Sequence, residues 1–364
     1  MNTALLGAGH IGQTIARLLH NADGYKVTVI DRNANALAKL AGEGVATRVV
    51  ETADPAALAA ALKGQHAVVN ALPYHLAVDA ARAAVAAGAH YFDLTEDVAA
   101  TREIKQIAEG AATVLMPQCG LAPGFIGIVA HHMTKSFDKL HEVKMRVGAL
   151  PAFPTNALKY NLTWSVDGLI NEYCHPCEAI HDGARIEVLP MEGLEHFSLD
   201  GTEYEAFNTS GGLGTLCETL DGQVRTLDYK TVRYPGHRDL MCMLLEDLQL
   251  KTDPETLKAI MRRSMPATMQ DVVLVFVTVS GLRDGTLMQE VFARKIFAER
   301  DGPEPLSAIQ ITTAAGICAA VDLVREGKLP PRGFVRQEQV DLPAFLANRF
   351  GRAYQQSRQV ESIG

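Results

Sequence analysis

The sequence lacks features that mark several classes of protein. It has no surplus of basic residues, since 34 Lys and Arg stand against 42 Asp and Glu, for a net charge of -8. Proteins that bind the phosphate backbone of nucleic acids carry such a surplus, so we expect no nucleic-acid partner. No apolar run approaches the roughly 18 residues of a membrane span, and the first residues lack the pattern of a signal peptide. We therefore expect a cytoplasmic protein with no membrane partner.

Cysteine and aromatic residues are also scarce. The six cysteines are scattered without the spacing of a disulfide framework, which is typical of a reducing compartment. Aromatic residues make up 6% of the chain, and Trp164 is the single tryptophan. Hydrophobic residues at 48% and charged residues at 21% are ordinary for a globular protein. The 364 residues predict two domains at roughly 150 residues each.

The first third of the chain alternates short apolar runs with Ala-rich stretches. Residues 53–63 and 75–89 are Ala-rich and predict helices. The apolar runs predict buried parallel strands at Ala4 to Leu6, Lys26 to Ile30, Ala67 to Asn70, His90 to Asp93 and Thr113 to Met116. Strands and helices that alternate in this way predict an α/β fold, a Rossmann-like doubly wound parallel sheet.

A glycine-rich segment follows the first predicted strand and opens a predicted helix, Ile11 to His20. Its sequence, Gly7-Ala8-Gly9-His10-Ile11-Gly12, fits the G-x-G-x-x-G pattern of dinucleotide-binding loops. The first glycine permits a tight turn, the second lets the backbone approach a pyrophosphate, and the third allows close packing of helix on strand. We therefore predict that this loop binds a dinucleotide cofactor.

Asp31 ends the second predicted strand, nineteen positions after Gly12. An acidic residue there holds the ribose hydroxyls of NAD and repels the 2′-phosphate of NADP, which favours NAD. Arg32 leaves NADP possible, since an arginine at this place can accept that phosphate or lie on the adenine.

Other predicted strands end in polar segments. Ligands of open α/β sheets bind beyond the carboxyl ends of the strands, which places three segments near the cofactor. Asn70-Ala71-Leu72-Pro73 is predicted to contact the cofactor, Asp93 to Glu96 to serve the reaction, and the segment with Gly120 and Pro123 to contact the substrate. Each segment alone also fits an ordinary loop between a strand and a helix.

The pattern changes after Pro123-Gly124. A helix is predicted at residues 126–136, and Arg283-Asp284-Gly285 predicts a hairpin turn. Strands are predicted at Glu142 to Val147, Ile186 to Leu189, Tyr204 to Phe207, Val224 to Tyr229, Val272 to Gly281 and Leu287 to Ile296. This pattern predicts an antiparallel α+β domain, residues 124–304. Residues 1–123 with the helices of residues 305–352 are predicted to form the dinucleotide-binding domain.

Several segments along nearly the whole chain resemble those of one family. They are GAGHIG at 7–12, NALP at 70–73, GLAPGF at 120–125, WSVDGLINEY at 164–173, TSGG at 209–212, LDYKTVRYPGH at 227–237 and GFVRQEQV at 333–340. In these the chain resembles the saccharopine dehydrogenase-like family, and most of all its lysine 6-dehydrogenase branch. The resemblance implies NAD-dependent oxidation of the ε-amine of L-lysine to 2-aminoadipate 6-semialdehyde and ammonia. It also implies that residues 124–304 are an inserted domain for substrate and oligomerisation, and that the protein is a homodimer or higher homo-oligomer.

Two further functions stay open at this point. One is a saccharopine- or carboxynorspermidine-type reductase, which joins an amine to a carbonyl compound with NADPH. Such an enzyme needs two arginines for carboxylates, and Arg32 and Arg238 leave it possible. The other is a dinucleotide-binding module without catalysis. The polar residues at the predicted strand ends argue against that module, since a protein without catalysis has little use for them.

Oxidising an amine requires a proton acceptor, because only the neutral amine can release a hydride and the pKa of a free lysine amine is about 10.4. The candidates are Asp93 and Glu96, with His75 and His237 as alternatives. Each also has a structural reading: Asp93 as a helix cap, Glu96 as a solvated acid in a first helical turn, His75 as a surface residue, and His237 as a helix start.

The α-carboxylate of an amino acid calls for a guanidinium fork. Arg233 is the main candidate, with Lys230 and the backbone N–H groups of Ser210 and Gly211 close in sequence, and an ion pair as its structural alternative. Trp164 is expected to pack in the core or form a wall of the substrate pocket.

Cysteine and histidine come together in one segment, Cys174-His175-Pro176-Cys177. Its spacing is partly that of a zinc site, but no second pair with matching spacing follows. We expect no metal.

Overall fold

The computed structural model describes residues 1–299 and 305–355. Its α-helices are α1 (His10–His20), α2 (Ala34–Gly42), α3 (Pro55–Leu62), α4 (Ala77–Ala86), α5 (Val98–Ile107), α6 (Phe125–Thr134), α7 (Val166–Cys174), α8 (Leu216–Thr219), α9 (His237–Cys242), α10 (Pro254–Ser264), α11 (Ala308–Arg325) and α12 (Leu342–Ala347). Short 3₁₀ turns lie at Tyr74–Leu76, Leu250–Thr252, Gln337–Gln339 and Gly351–Gln355, and a π-helical turn at Met243–Asp247.

The strands are β1 (Asn2–Leu6), β2 (Lys26–Asp31), β3 (Ala46–Val49), β4 (Ala67–Asn70), β5 (His90–Asp93), β6 (Val114–Met116), β7 (Lys139–Pro151), β8 (Cys177–His181), β9 (Ala184–Val188), β10 (Glu195–Leu199), β11 (Thr202–Asn208), β12 (Thr226–Arg233), β13 (Asp271–Arg283), β14 (Thr286–Phe297) and β15 (Gly333–Phe334). The chain divides into two compact units. One comprises Met1–Ile128 with Gln310–Gln355 and the other Val129–Ile309. The expected boundaries, at 123/124 and 304/305, fall a few residues earlier in the chain at both crossings.

The first unit contains a parallel sheet in the order β15-β6-β5-β4-β1-β2-β3. Apart from β15 this is the strand order of a Rossmann fold, so the predicted fold class is confirmed. The five predicted strands are all present. Two were not predicted: β3 is a largely exposed edge strand without an apolar run, and β15 has two residues.

Ala-rich helices pack on this sheet because their short side chains permit a close approach. On α4 the residues Ala77, Ala80, Ala81 and Ala84 are buried, and they share one apolar cluster with residues of β1, β4 and β5. Helix α11 is the one helix in the described ranges that is long and apolar enough to cross a membrane, and 83% of that stretch is buried inside the protein. Such burial is typical of a core helix.

The second unit contains a sheet in the order β10-β11-β12-β7-β13-β14, with β8 paired to β12 and β9. The predicted hairpin at Arg283-Asp284-Gly285 is confirmed, with β13 and β14 antiparallel over their whole length. The sheet is mixed, whereas the sequence predicted antiparallel strands, because β12 pairs with β7 in parallel. The long connection from β7 to β12, which contains α7 and β8 to β11, lets the chain re-enter the sheet in the same direction.

Asp322 on α11 fixes the C-terminal segment of the first unit to its N-terminal part. Its side chain is fully buried and accepts hydrogen bonds from the Tyr25 hydroxyl at 2.7 Å, Asn348 Nδ2 at 2.9 Å, Arg349 Nη2 at 2.8 Å and Arg325 Nε at 2.9 Å. Burial opposes the charge of Asp322, but the hydrogen bonds from Arg349 and Tyr25 prevail and lower its pKa to about 2.

We expect Asp322→Asn to lower the free energy of unfolding by about 3 kcal/mol, because two arginines lose their buried carboxylate. Urea denaturation would measure this loss, with exposed Asp79 on α4, changed to Asn, as the control. A folded pKa of about 2 lies below the unfolded value of about 3.9. The stabilisation is therefore complete when the pH is above the pKa of the unfolded state, and it disappears as the pH falls through the pKa of the folded state. Equal stability of the two variants at neutral pH would contradict this role.

Candidate active site

The glycine-rich loop between β1 and α1 is shaped by close backbone contacts. Gly7 has φ +100°, and a Cβ there would lie 2.8 Å from the carbonyl oxygen of Ala71. A Cβ on Gly12 would lie 2.1 Å from the carbonyl oxygen of Gly7. Larger residues therefore do not fit at either position. The contact with Ala71 brings the loop against the Asn70 to Pro73 turn, so two segments predicted to bind the cofactor are adjacent.

Gly9 lies on the open side of the same loop. A Cβ on Gly9 would meet no atom within 4 Å. Gly9 precedes α1, whose N-terminus has no side-chain cap and no acidic residue in its first turn; His10 is exposed and Ile11 partly buried there. The open space beside Gly9 and the free N–H groups at the N-terminus of α1 could accommodate a pyrophosphate, because such N–H groups bind anions.

Asp31 ends β2 beside this loop. Its Oδ2 accepts a hydrogen bond from the Ala8 N–H at 2.7 Å and its Oδ1 one from the Asn33 N–H at 2.7 Å. The side chain of Arg32 is 75% exposed and lies 4.0 Å from the Glu51 carboxylate. A solvated ion pair of this kind contributes little to stability, which leaves the guanidinium available to a ligand.

The ends of β4 and β5 are joined by buried polar side chains. Asn70 accepts from the Leu72 N–H at 3.1 Å and donates to the Tyr91 hydroxyl oxygen at 3.0 Å. That hydroxyl lies 2.9 Å from Asp93 Oδ2 and 3.0 Å from the Ala77 carbonyl oxygen. The turn at 70–73 is thus held in place by residues of the neighbouring strand.

Asp93 extends this network to the end of β6. Its Oδ1 accepts from the N–H groups of Thr95 at 3.0 Å and Gln118 at 2.9 Å, and Gln118 has a φ of 65°. Burial raises the pKa of Asp93 to about 6, although these N–H groups oppose the rise. Both carboxylate oxygens are therefore occupied in holding three strand-end loops. The cap of α5 is Asp97.

Glu96 follows in the same loop and is only partly exposed. No other described residue donates a hydrogen bond to its carboxylate, and burial raises its pKa to about 7. A carboxylate with such a pKa can take up and release protons near neutral pH. By this criterion Glu96 is better suited than Asp93 to act as a base.

The two remaining segments of the first unit differ in their surroundings. His75 lies in the 3₁₀ turn Tyr74–Leu76 and is exposed, with its ring edge against Tyr74. Gly120 and Pro123 belong to a tight turn before α6, in which the Phe125 N–H donates to the Gly120 carbonyl at 3.0 Å. Gly120 and Pro123 are both buried.

Arg233 ends β12 in the second unit and is 3% exposed. Its Nε donates to the Tyr173 hydroxyl oxygen at 2.9 Å and its Nη1 to the carbonyl of Val232 at 2.9 Å. The rings of Tyr160 and Tyr173 lie 5.2 Å and 5.9 Å from the guanidinium carbon. No carboxylate of the described residues lies within ion-pair distance of Arg233, and its Nη2 has no hydrogen-bond partner among them.

His237 begins α9 and is 1% exposed. Its Nε2 lies 3.1 Å from the Tyr173 hydroxyl and its Nδ1 2.9 Å from the Leu158 carbonyl oxygen. Burial, together with the positive charge of Arg233, lowers the pKa of His237 to about 3. With both nitrogens occupied and a pKa this low, the imidazole is poorly suited to accept a proton from a substrate.

Lys230 does not join Arg233. Side chains of a strand alternate between faces, so residues three apart lie on opposite sides of β12. Lys230 donates to Glu195 Oε2 at 2.9 Å and to the Gly193 carbonyl at 2.6 Å. Glu195 also pairs with Arg146, which pairs with Asp228. Lys230 therefore belongs to a charged cluster on the other face of the sheet.

Ser210, Gly211 and Trp164 lie near the helix that carries Tyr173. The Ser210 N–H donates to the main-chain carbonyl of Glu172 on α7 at 3.0 Å, so it is not open to a ligand. Gly211 has φ +84° in the turn that follows. Trp164 is partly buried and packs against the apolar cluster that contains Tyr160 and Tyr173. Packing was one of its two expected roles.

Sequence reasoning missed three residues of these networks: Tyr91, Gln118 and Tyr173. A signal was present for two of them. Tyr91 and Asp93 are two apart on a strand and so share a face. Ser165 caps α7, and buried Leu169 and Tyr173 follow four apart on its inner face. Gln118 gave no signal, because its role depends on its backbone conformation.

No group of three or more metal-binding side chains occurs in the described part of the chain. In the Cys174 to Cys177 segment, His175 Nδ1 lies 2.9 Å from the Asn171 carbonyl oxygen, and the Cys177 thiol lies near the carbonyl of His175. These contacts are local ones between the end of α7 and the start of β8.

Two family models match successive parts of the chain. Residues 3–116 match the model of the saccharopine dehydrogenase NADP binding domain, and residues 120–351 match that of the saccharopine dehydrogenase C-terminal domain. The solved saccharopine dehydrogenase (L-Glu forming) of Saccharomyces cerevisiae is similar in fold, with a TM-score of 0.76 at 19% identity, over 97% of this chain and 96% of that one.

Two curated relatives match parts of the chain. Saccharopine dehydrogenase [NADP(+), L-glutamate-forming] of Pyricularia oryzae is 27% identical over 46% of this chain and 38% of its own length. The mitochondrial alpha-aminoadipic semialdehyde synthase of Bos taurus is 23% identical over 54% of this chain and 23% of its own length. The chain thus matches less than half of either relative. The C-terminal family model alone matches more than half of the chain, which belongs to the saccharopine dehydrogenase family.

Proposed function

We propose that the protein is an NAD-dependent oxidoreductase that converts the ε-amine of L-lysine to 2-aminoadipate 6-semialdehyde with release of ammonia. The observation that supports this most is Arg233. A buried guanidinium that no carboxylate contacts is costly, because its hydration is lost, and Glu172 acts on Arg233 only from beyond ion-pair distance. The α-carboxylate of an amino acid would supply the missing contact.

The other arginines near this site are already occupied. Arg146 pairs with Glu195 and Asp228, and Arg238 donates to the Met191 carbonyl at 2.8 Å and to Asp239 at 3.0 Å. Of the two buried arginines in the described part of the second unit, Arg233 alone has no carboxylate in contact, and one such guanidinium fits a substrate with one carboxylate, such as lysine. Saccharopine carries three carboxylates and would need further cations.

The residues of the glycine loop fit a dinucleotide. Gly7, Gly9 and Gly12 would hold the pyrophosphate against the N-terminus of α1, and Asp31 the adenosine ribose. Asn70, Ala71, Leu72 and Pro73 adjoin this loop. When bound, the nicotinamide accepts the hydride from the substrate carbon. Asp31 favours NAD in this proposal, and exposed Arg32 keeps NADP as the alternative.

Glu96 is the base we propose for the amine. The ε-ammonium must lose a proton before its carbon can release a hydride, and the resulting imine must add water before ammonia leaves. A carboxylate whose pKa is about 7 can accept the first proton and assist the addition of water. Asp93 would hold the loop that carries Glu96.

Oxidation of saccharopine is the second candidate, because the similar solved structure and one curated relative are named for it. A panel of L-lysine, L-ornithine and saccharopine with NAD or NADP separates the candidates through the absorbance of the reduced cofactor. We expect turnover of L-lysine with NAD. Turnover of saccharopine alone would replace the proposal by the second candidate. Cofactor binding without turnover of any member would contradict both.

Arg233→Met should raise KM for L-lysine about 100-fold, because the charge-assisted contact with the carboxylate is lost. KM for the cofactor should not change. With 1,5-diaminopentane, which is lysine without its carboxylate, kcat/KM should stay at the wild-type value. Arg225→Met is the matched control, since Arg225 is exposed and pairs with Asp182. An equal loss with both substrates would refute the assignment.

Glu96→Gln should lower kcat about 100-fold, which is typical for the loss of a general base. Glu96 accepts a proton only when ionised, so wild-type kcat should rise as the pH increases through about 7. The variant should lack that rise. Exposed Glu109, which also belongs to the first unit, is changed to Gln as the control. A variant that keeps the wild-type profile would exclude Glu96 as the base.

A further inference from the structure

We infer that Tyr173 and His237 are positioning residues: the Tyr173 hydroxyl and a neutral His237 imidazole form a hydrogen-bond chain of fixed direction that orients the Arg233 fork toward a carboxylate. This inference rests on the proposed role of Arg233 in binding the substrate carboxylate. It assigns to His237 a role other than that of a proton acceptor.

The direction of the hydrogen-bond chain follows from its last member, the Leu158 carbonyl. The Leu158 carbonyl can only accept, so Nδ1 of His237, 2.9 Å away, must carry a proton. A neutral imidazole then has an unprotonated Nε2, which accepts from the Tyr173 hydroxyl at 3.1 Å. Because that hydroxyl has a single proton, its oxygen is left to accept from Arg233 Nε at 2.9 Å. Every donor in the chain has one acceptor.

The charges at the site favour this arrangement. A protonated imidazole would place a second positive charge next to buried Arg233 and would turn Nε2 from an acceptor into a donor. The Tyr173 hydroxyl would then lose its acceptor. The neutral imidazole avoids both, and its surroundings are apolar: the rings of Tyr160 and Phe207 lie 5.3 Å and 6.4 Å from it.

The backbone around His237 is fixed independently. Glu205 is 2% exposed, and its carboxylate accepts from the N–H groups of Gly236 at 2.8 Å and Arg238 at 2.7 Å. These residues flank His237 at the start of α9. The position of the imidazole is therefore fixed. Through the hydrogen bond to the Tyr173 hydroxyl, the imidazole also fixes the position of the Arg233 guanidinium.

The result is an arginine with one edge occupied and one end open. Nε is bound to Tyr173 and Nη1 to the Val232 carbonyl, whereas Nη2 has no partner among the described residues. A guanidinium held in this way loses little further freedom on binding a carboxylate, which favours affinity. Tyr173 and His237 would thus act on the binding of the substrate and leave its oxidation unaffected.

The test compares hydroxyl and imidazole variants with two substrates. Tyr173→Phe should raise KM for L-lysine about tenfold, with kcat within twofold of wild type and no change in kcat/KM for 1,5-diaminopentane. His237→Leu should act in the same direction. His237→Gln should restore KM, because its amide oxygen can accept from Tyr173 and its N–H can donate to Leu158. Tyr234→Phe is the control, since the hydroxyl it loses is bonded to the Pro151 carbonyl and not to Arg233.

Two measurements test the inference without turnover. Nitrogen NMR of ¹⁵N-histidine-labelled protein should show His237 protonated at Nδ1 alone. Calorimetry with L-norleucine, which has the carboxylate but no ε-amine, should give a dissociation constant about tenfold higher for Tyr173→Phe and unchanged for Tyr234→Phe. Protonation at Nε2, or equal norleucine binding by Tyr173→Phe and wild type, would overturn the inference. Failure of L-lysine to turn over while both expected results hold would refute only the proposed oxidation.

Discussion

A guanidinium kept in the interior without a carboxylate is the constraint that organises the second unit. Arg233 is stabilised there by two aromatic rings, a hydroxyl and one carbonyl group. These partners compensate part of the lost hydration, and the carboxylate of buried Glu172 acts on the guanidinium only from beyond ion-pair distance. The neutral imidazole of His237 and the bound backbone at Gly236 follow from the same constraint, because a second cation or a mobile loop would weaken this arrangement. Binding of an anion would complete it.

The first unit contains the opposite case, a buried carboxylate without a cation in contact with it. Asp93 has no cation within ion-pair distance among the described residues, and backbone N–H groups with a tyrosine hydroxyl take the place of one. Those N–H groups come from two different loops, and the tyrosine hydroxyl also bonds Asn70. The carboxylate of Asp93 therefore holds the turns after β4, β5 and β6 in fixed positions relative to one another. Glu96 lies beside this rigid network and has no such partners. Asp93 and Glu96 are three residues apart, but Asp93 is fixed by hydrogen bonds whereas the carboxylate of Glu96 is available for proton transfer.

The sequence predicts the fold well where the signal is local. The glycine loop, the buried strands of the first unit and the hairpin at Asp284 all follow from patterns of a few residues, and each is present. Arg233 could be singled out because a guanidinium fork suits a carboxylate, whereas Lys230 was grouped with it only by nearness in sequence. The alternation of side chains on β12 separates the two. Tyr173 and Gln118 act through contacts with distant residues, Arg233 and Asp93, and such pairings cannot be derived from one sequence. The parallel entry of β12 beside β7 likewise depends on the path of a long connection.

The division of the first unit between the two ends of the chain affects the order in which it can form. On the ribosome β1 to β6 leave the exit tunnel early, but Tyr25 meets Asp322 only after the whole second unit has been made. During that time β6 is an open edge, because β15 closes it from residues 333–334. An unpaired edge of a parallel sheet can join a strand of another chain. The growing chain therefore carries an incomplete sheet until residues 333–334 have been synthesised and can pair with β6.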